Sequence, residues 1–146
     1  MKKGSFGHDY VPLCNFNLKV EGLIELDVVE VSGLDQKIET VEFEDKIVHS
    51  LGRKGTLEFT VKFPIHAGIQ MAALDLWWYG SLDPAQIGYK HNATLMFNTV
   101  SGEAKGIYLI TGMFPSGRKY PNFNRTSSEV ALEEWTFKAD DLIIIP

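Results

Sequence analysis

The stretch Thr56-Leu-Glu-Phe-Thr-Val-Lys-Phe63 decides the fold because it alternates without a break. Leu57, Phe59, Val61 and Phe63 fall on one side, and Thr56, Glu58, Thr60 and Lys62 on the other. Successive side chains of an extended chain point to opposite faces, so a period of two predicts a strand with one face in a core and one in water. Ile24-Glu-Leu-Asp-Val28 alternates in the same way, and the doubled Val28-Val29 then reads either as a bulge or as two apolar neighbours with no structural meaning. Further strands are predicted at residues 15–20, 37–44, 92–100, 106–114 and 130–139. Turn residues separate nearly all of them: Ser32-Gly33, Asp83-Pro84, Ser101-Gly102 and Pro115-Ser116-Gly117.

One segment breaks the period. From about Gly68 to Tyr79, Ile69, Ala73, Leu76 and Trp77 follow three- and four-residue spacing, which predicts a helix closed by Gly80 and Pro84. Within it, Trp77 and Trp78 lie about 100° apart around the axis. One ring can therefore face the core while the other covers a rim or a neighbouring molecule, or both can be core. The whole predicts a mainly β fold, a sandwich or barrel of about seven strands with one α-helix.

The chain has 146 residues and a formal net charge of −5, which suits a single domain spanning residues 1–146 with one core. An acidic balance without a basic stripe argues against nucleic-acid binding, which uses clustered Lys and Arg to displace counterions from phosphates. Apolar runs such as residues 142–145 fall far short of a membrane span, and no apolar stretch follows Lys2 and Lys3 as in a signal peptide, so a cytosolic product is expected. Cys14 opens an apolar strand and is expected to be a buried thiol.

No catalytic constellation emerges. Gly52-Arg-Lys-Gly-Thr56 lacks the Gly-Lys-Ser/Thr ending of a phosphate loop, and His8, His49, His66 and His91 are scattered without ligand spacing and read as surface or loop residues. Glu133 and Glu134, near Asp140 and Asp141, occupy adjacent strand positions that point apart. No catalytic residue, metal site or cofactor is assigned. One asymmetry stands out: between Glu21 and Lys46 nine acidic and two basic residues give −7, which leaves +2 for the rest of the chain.

Motif order adds a family likeness. Residues 17–23, Asn-Leu-Lys-Val-Glu-Gly-Leu, followed by Val29-Glu-Val-Ser-Gly-Leu34, resemble the opening of bacteriophage tail tube proteins. A glycine-bearing loop at 45–55, the strand at 56–63, the helix with Leu74-Asp-Leu-Trp-Trp-Tyr79, then Phe114-Pro115, Glu129-Val-Ala-Leu-Glu-Glu134 and a strand through Phe137 to Leu142 follow in that family's order. Lys62-Phe-Pro64 departs from the basic-residue-plus-glycine pattern of many members.

The resemblance implies a structural protein whose hexameric rings stack into a hollow tube, in a phage virion or a phage-like injection machine, assembled in the bacterial cytoplasm. Implied partners are other copies of the chain, sheath, baseplate or initiator, tape-measure and tail-terminator proteins, with DNA passing transiently and no membrane. Within that frame the acids Glu25, Asp27, Glu39 and Glu42 are expected to line the bore, on two strands joined by a turn at Ser32–Gln36. Residues 44–55 are expected to form an extended inter-subunit loop carrying Ile47, Val48, Leu51, Arg53 and Lys54. Residues 1–14 are expected to form an N-terminal arm whose Phe6 and Tyr10 touch the next ring, and Trp77 and Trp78 to serve the helix interface. The other reading of the residues is a monomeric β-barrel holding a small apolar ligand in a closed pocket.

Overall fold

A computed structural model describes residues 10–44, 46–85 and 88–145. The described residues form nine strands and one helix. They are β1 (Phe16–Val20), β2 (Glu30–Ser32), β3 (Ile38–Glu42), β4 (Val48–Lys54), β5 (Leu57–Pro64), α1 (Gly68–Ser81), β6 (His91–Asn98), β7 (Ala104–Lys119), β8 (Leu132–Ala139) and β9 (Asp141–Ile145). All pairings are antiparallel.

β7 organises the sandwich. Its first half lies between β6 and β9, with β1 beyond β6, and its second half pairs with β8, followed by β5 and β2. One strand thus belongs to two sheets, and β8 and β9 make the same crossing at Asp140, whose N–H donates to the Thr111 carbonyl at 2.8 Å. The alternation at 57–63 lands as predicted. Leu57, Phe59, Val61 and Phe63 are buried and meet Phe137 and Trp135 of β8, with Phe59 stacked on Phe137 at 5.7 Å between ring centroids.

Two irregularities in β7 set which side chains enter that core. Ile110 is buried and simple alternation would turn Met113 outward, yet Met113 is fully buried because the ladder with β6 slips there. Gly112 takes the slip, with φ +66 and its N–H donating to Asn92 Oδ1 at 3.1 Å. The second slip, between Pro115 and Gly117, turns Arg118 inward. An extra residue in one strand reverses the faces of everything beyond it. Pro115-Ser116-Gly117, expected as a turn, is therefore a bulge inside a continuous strand.

α1 closes the open side of the sandwich. Its inward face is Gln70, Met71, Leu74 and Trp77, so Ile69 and Leu76 of the predicted face point to solvent instead. Trp77 packs against Phe137 in a tilted pair, 5.3 Å between ring centroids, and donates through Nε1 to the Tyr89 carbonyl at 2.7 Å. It is core, which corrects its expected interface role, while Trp78 is half-buried edge-on to Trp135 at 5.8 Å. His91, expected on a surface or loop, is a half-buried β6 residue whose ring sits 5.0 Å from Trp77, and burial holds its pKa below the usual histidine value.

Other expectations shift as well. Residues 24–28 form no strand, although Leu26 is buried; the segment runs beside α1, held by Gln70, whose Nε2 donates to the Asp27 carbonyl at 2.8 Å and whose Oε1 accepts from the Asp27 N–H at 2.5 Å. β2 pairs with β5 and β3 with β4, so Ser32–Gln36 does not join a hairpin. Most of 44–55 is strand β4, not loop. Cys14 is exposed, because the alternation of β1 begins only at Phe16. Among the described residues the interior is filled by side chains, the largest fully buried including Trp135, Phe59, Phe63 and Phe137, where the ligand-barrel reading expects a closed pocket.

Gly112→Ala places a side chain in a left-handed backbone position and drives its Cβ into the Asp140 carboxylate. The left-handed penalty alone is about 1–2 kcal/mol, so a fall in melting temperature of at least about 3 °C is expected by calorimetry. An unchanged transition means that the crossing does not depend on this glycine.

Candidate assembly surfaces

The hairpin of β3 and β4 pairs with neither main sheet. Ile38, Phe43, Ile47, Val48 and Leu51 are each roughly half exposed on it, and Phe43 lies against His49 at 4.8 Å. Its root is fixed: Lys54 Nζ reaches Asp141 Oδ1 at 3.0 Å, and the Gly55 N–H donates to the Lys37 carbonyl at 2.7 Å. Lys54 and the Leu142 N–H hold the Asp141 carboxyl below the usual carboxylate range. A two-stranded ribbon is marginal alone, and its apolar side chains gain nothing in water.

Two further apolar surfaces face outward. On α1, Ile69, Leu76 and Tyr79 are 79%, 75% and 66% exposed and share one stripe with exposed Ala72, opposite the buried face, so this helix is apolar on both sides. On the sheet of β1, β6, β7 and β9, the outer side carries Met96, Ile107, Leu109, Ile143 and Ile145, brought together by register. The sequence of residues 106–114 is apolar on both faces, and this patch lies on the outer one. Contiguous exposed apolar surface of this kind marks protein contact sites.

The four predicted bore acids do not form one wall. Glu25 and Asp27 are exposed on the irregular segment beside α1, whereas Glu39 and Glu42 lie on opposite sides of β3. Glu39 is taken up in an ion pair with Arg53 across the hairpin. Of the residues expected at interfaces, Ile47, Val48, Leu51, Arg53 and Lys54 lie on the hairpin; Tyr10 is 41% exposed, and Phe6 lies outside the described residues.

Sequence reasoning missed the buried support beneath these surfaces. Arg118 Nε meets Glu133 Oε1 at 2.5 Å and its Nη2 meets Asp75 Oδ1 at 2.6 Å, joining β7, β8 and α1. Its guanidinium also stacks on Trp135 at 4.7 Å and Tyr120 at 4.9 Å. Burial opposes the Arg118 charge, but Glu133 and then Asp75 outweigh it, and the net direction is upward. The signal in the sequence was a strand, residues 132–139, whose alternation puts Glu133 on the same face as Trp135 and Phe137.

Solved structures share this architecture. A chain of the sheath–tube complex of an extracellular contractile injection system, PVC, in the extended state, aligns over 93% of this chain and 91% of its own, at 23% identity and a TM-score of 0.75. The tail-tube fold is what this chain adopts. A chain of the tube-terminating cap of the anti-feeding prophage shares it at 21% identity, over 92% and 90% of the two chains, with a TM-score of 0.76. Hcp1 from Flavobacterium johnsoniae shares it at 14% identity, over 89% and 94%, with a TM-score of 0.60. No protein-family model and no curated protein matches the sequence. The tail-tube fold here includes the isolated hairpin and a helix apolar on both sides.

Arg118→Ala leaves the Glu133 carboxylate buried without its cation, a change that costs about 3–5 kcal/mol in comparable buried pairs. A matching drop in unfolding free energy is expected by urea titration; a loss under about 1 kcal/mol means that the pair is solvated and structurally idle.

Proposed function

We propose that this chain is the repeating subunit of the inner tube of a phage tail or phage-like contractile injection particle, six copies closing a ring and rings stacking into a conduit. The observation that carries the reading is the amount of outward apolar surface arranged on three separate places of one tail-tube fold: the β3–β4 hairpin, the α1 stripe and the β7/β9 sheet face. Different patches meeting across copies make head-to-tail contacts, and such contacts either close into rings or continue as filaments. Among the described residues no strand pairs with the outer edges of β1 and β9, a hazard in a monomer that edge pairing between copies removes.

In this reading the hairpin is the arm that reaches an adjacent subunit, and Tyr10 contacts the next ring. Sheath, baseplate initiator, tape-measure and terminator are the partners, and DNA is the cargo of a phage version. The subunit acts by shape and surface and carries out no reaction. Outside the cell or within a particle, the assembled tube is the working form.

Purified protein viewed by negative stain, alone and with a baseplate initiator, is expected to show rings or tubes. A strictly monomeric species by light scattering, at high concentration, across salt and with initiator, argues against the reading. Ile47→Ser, Val48→Ser and Leu51→Ser combined should abolish assembly while leaving the circular dichroism spectrum folded. Normal tubes from that variant remove the hairpin from the contact.

A further inference from the structure

The outer side of the sheet β2–β5–β8–β7 differs from every other face of the molecule. Register places Glu30, Lys62, Glu134 and Lys119 in one row across four strands, so that charges alternate from edge to edge. The Lys62 ammonium sits 3.1 Å from Glu30, whose hydrogen bond and charge raise the Lys62 pKa, with Glu134 adding to the effect. Two residues along, Ser32, Thr60 and Thr136 form a row of hydroxyls. Beyond that, Glu58 lies opposite Lys138. Three glutamates thus alternate with three lysines on this face, in charge balance; Glu30 and Lys62 are in ion-pair contact, and the others are cross-strand neighbours by register.

From this we infer that the β2–β5–β8–β7 face lines the bore of the tube, and that its charge-paired lattice is what lets a polyanion slide without adsorbing. The inference rests on the tube reading above and specifies which face meets the cargo. The other outward surfaces carry Ile69, Leu76, Ile143 and their neighbours, which need cover by protein. The charge-alternating face needs none, since cross-strand neighbours of opposite charge and hydroxyls are well hydrated.

Neutrality here has a mechanical meaning. Unpaired lysines repeated around a ring would neutralise phosphates and release counterions, which is the driving force of nonspecific DNA binding. A wall of unpaired acids would raise a repulsive potential along the whole channel. Alternating pairs avoid both, because the fields of neighbouring opposite charges cancel within a few ångströms and salt screens the remainder.

Two experiments on assembled tubes test the assignment, both in a Cys14→Ser background because Cys14 is exposed. In the first, Thr60→Cys is treated with a small maleimide and with a polyethylene-glycol maleimide too wide to enter the bore. Free subunits should react with both, and tubes with the small reagent alone. Reaction of tubes with both reagents puts the face outside, and reaction with neither buries it in a contact; either result overturns the inference while leaving the tube intact. Failure of the parent protein to form tubes at all overturns the tube reading instead.

In the second experiment, Glu30→Gln, Glu58→Gln and Glu134→Gln together leave three lysines per subunit without an acidic cross-strand neighbour. Those tubes should retain a short fluorescent DNA duplex that parent tubes do not, with a log–log salt slope steepening by about 0.9 for each phosphate neutralised. The opposite set, Lys62→Gln, Lys119→Gln and Lys138→Gln, should retain none. Equal retention by both sets means that the pairing of these charges does not govern passage. Should the triple variants fail to assemble, the maleimide comparison on Thr60→Cys decides the question unaided.

Discussion

The structure depends on a single constraint: one strand has to serve two sheets. β7 has sixteen residues, and a strand that long cannot stay in register with β6, β9 and β8 while keeping its apolar side chains inward throughout. The slips at Gly112 and at Pro115–Gly117 resolve the conflict, each reversing the faces of the residues beyond it. The first seats Met113 in the core, and the second turns Arg118 toward Glu133 and Asp75. The attachment of α1 follows from that last step, since Asp75 and Trp78 both reach the β7–β8 pair from the helix.

Legibility in the sequence followed the distance over which each element is determined. The strand at 57–64 is half-buried along its whole length, so its period showed directly. The helix was visible as a change of period, but not its orientation, because a helix apolar on both sides offers no stripe to choose from. Segment 24–28 imitated a strand because Leu26 is buried between exposed acids; its partner is a glutamine side chain forty-odd residues away, which no local pattern can report. β4 failed the reverse way, being a strand with every residue exposed and hence no alternation to find.

The surfaces were legible in part for the same reason. Apolar residues of the hairpin could be picked out one by one, since a loop reading already leaves them without a core. The paired-charge rows could not, because Glu30, Lys62, Glu134 and Lys119 become neighbours only through registers fixed by the buried sides of their strands. The acidic excess of residues 21–46 was real as composition, yet the fold distributes its described members over irregular segments, β2 and both sides of a hairpin.

The amide clamp of Gln70 on Asp27 has a mutational corollary. It grips the main chain at position 27 and ignores the side chain there, so the segment's path is independent of what that position displays. A glutamine at position 70 is thereby the fixed term, since its loss removes both bonds, and residue 27 is exchangeable on the outer surface. The exposed side chains at 25 and 27 can be changed without altering the grip that ties this segment to the helix.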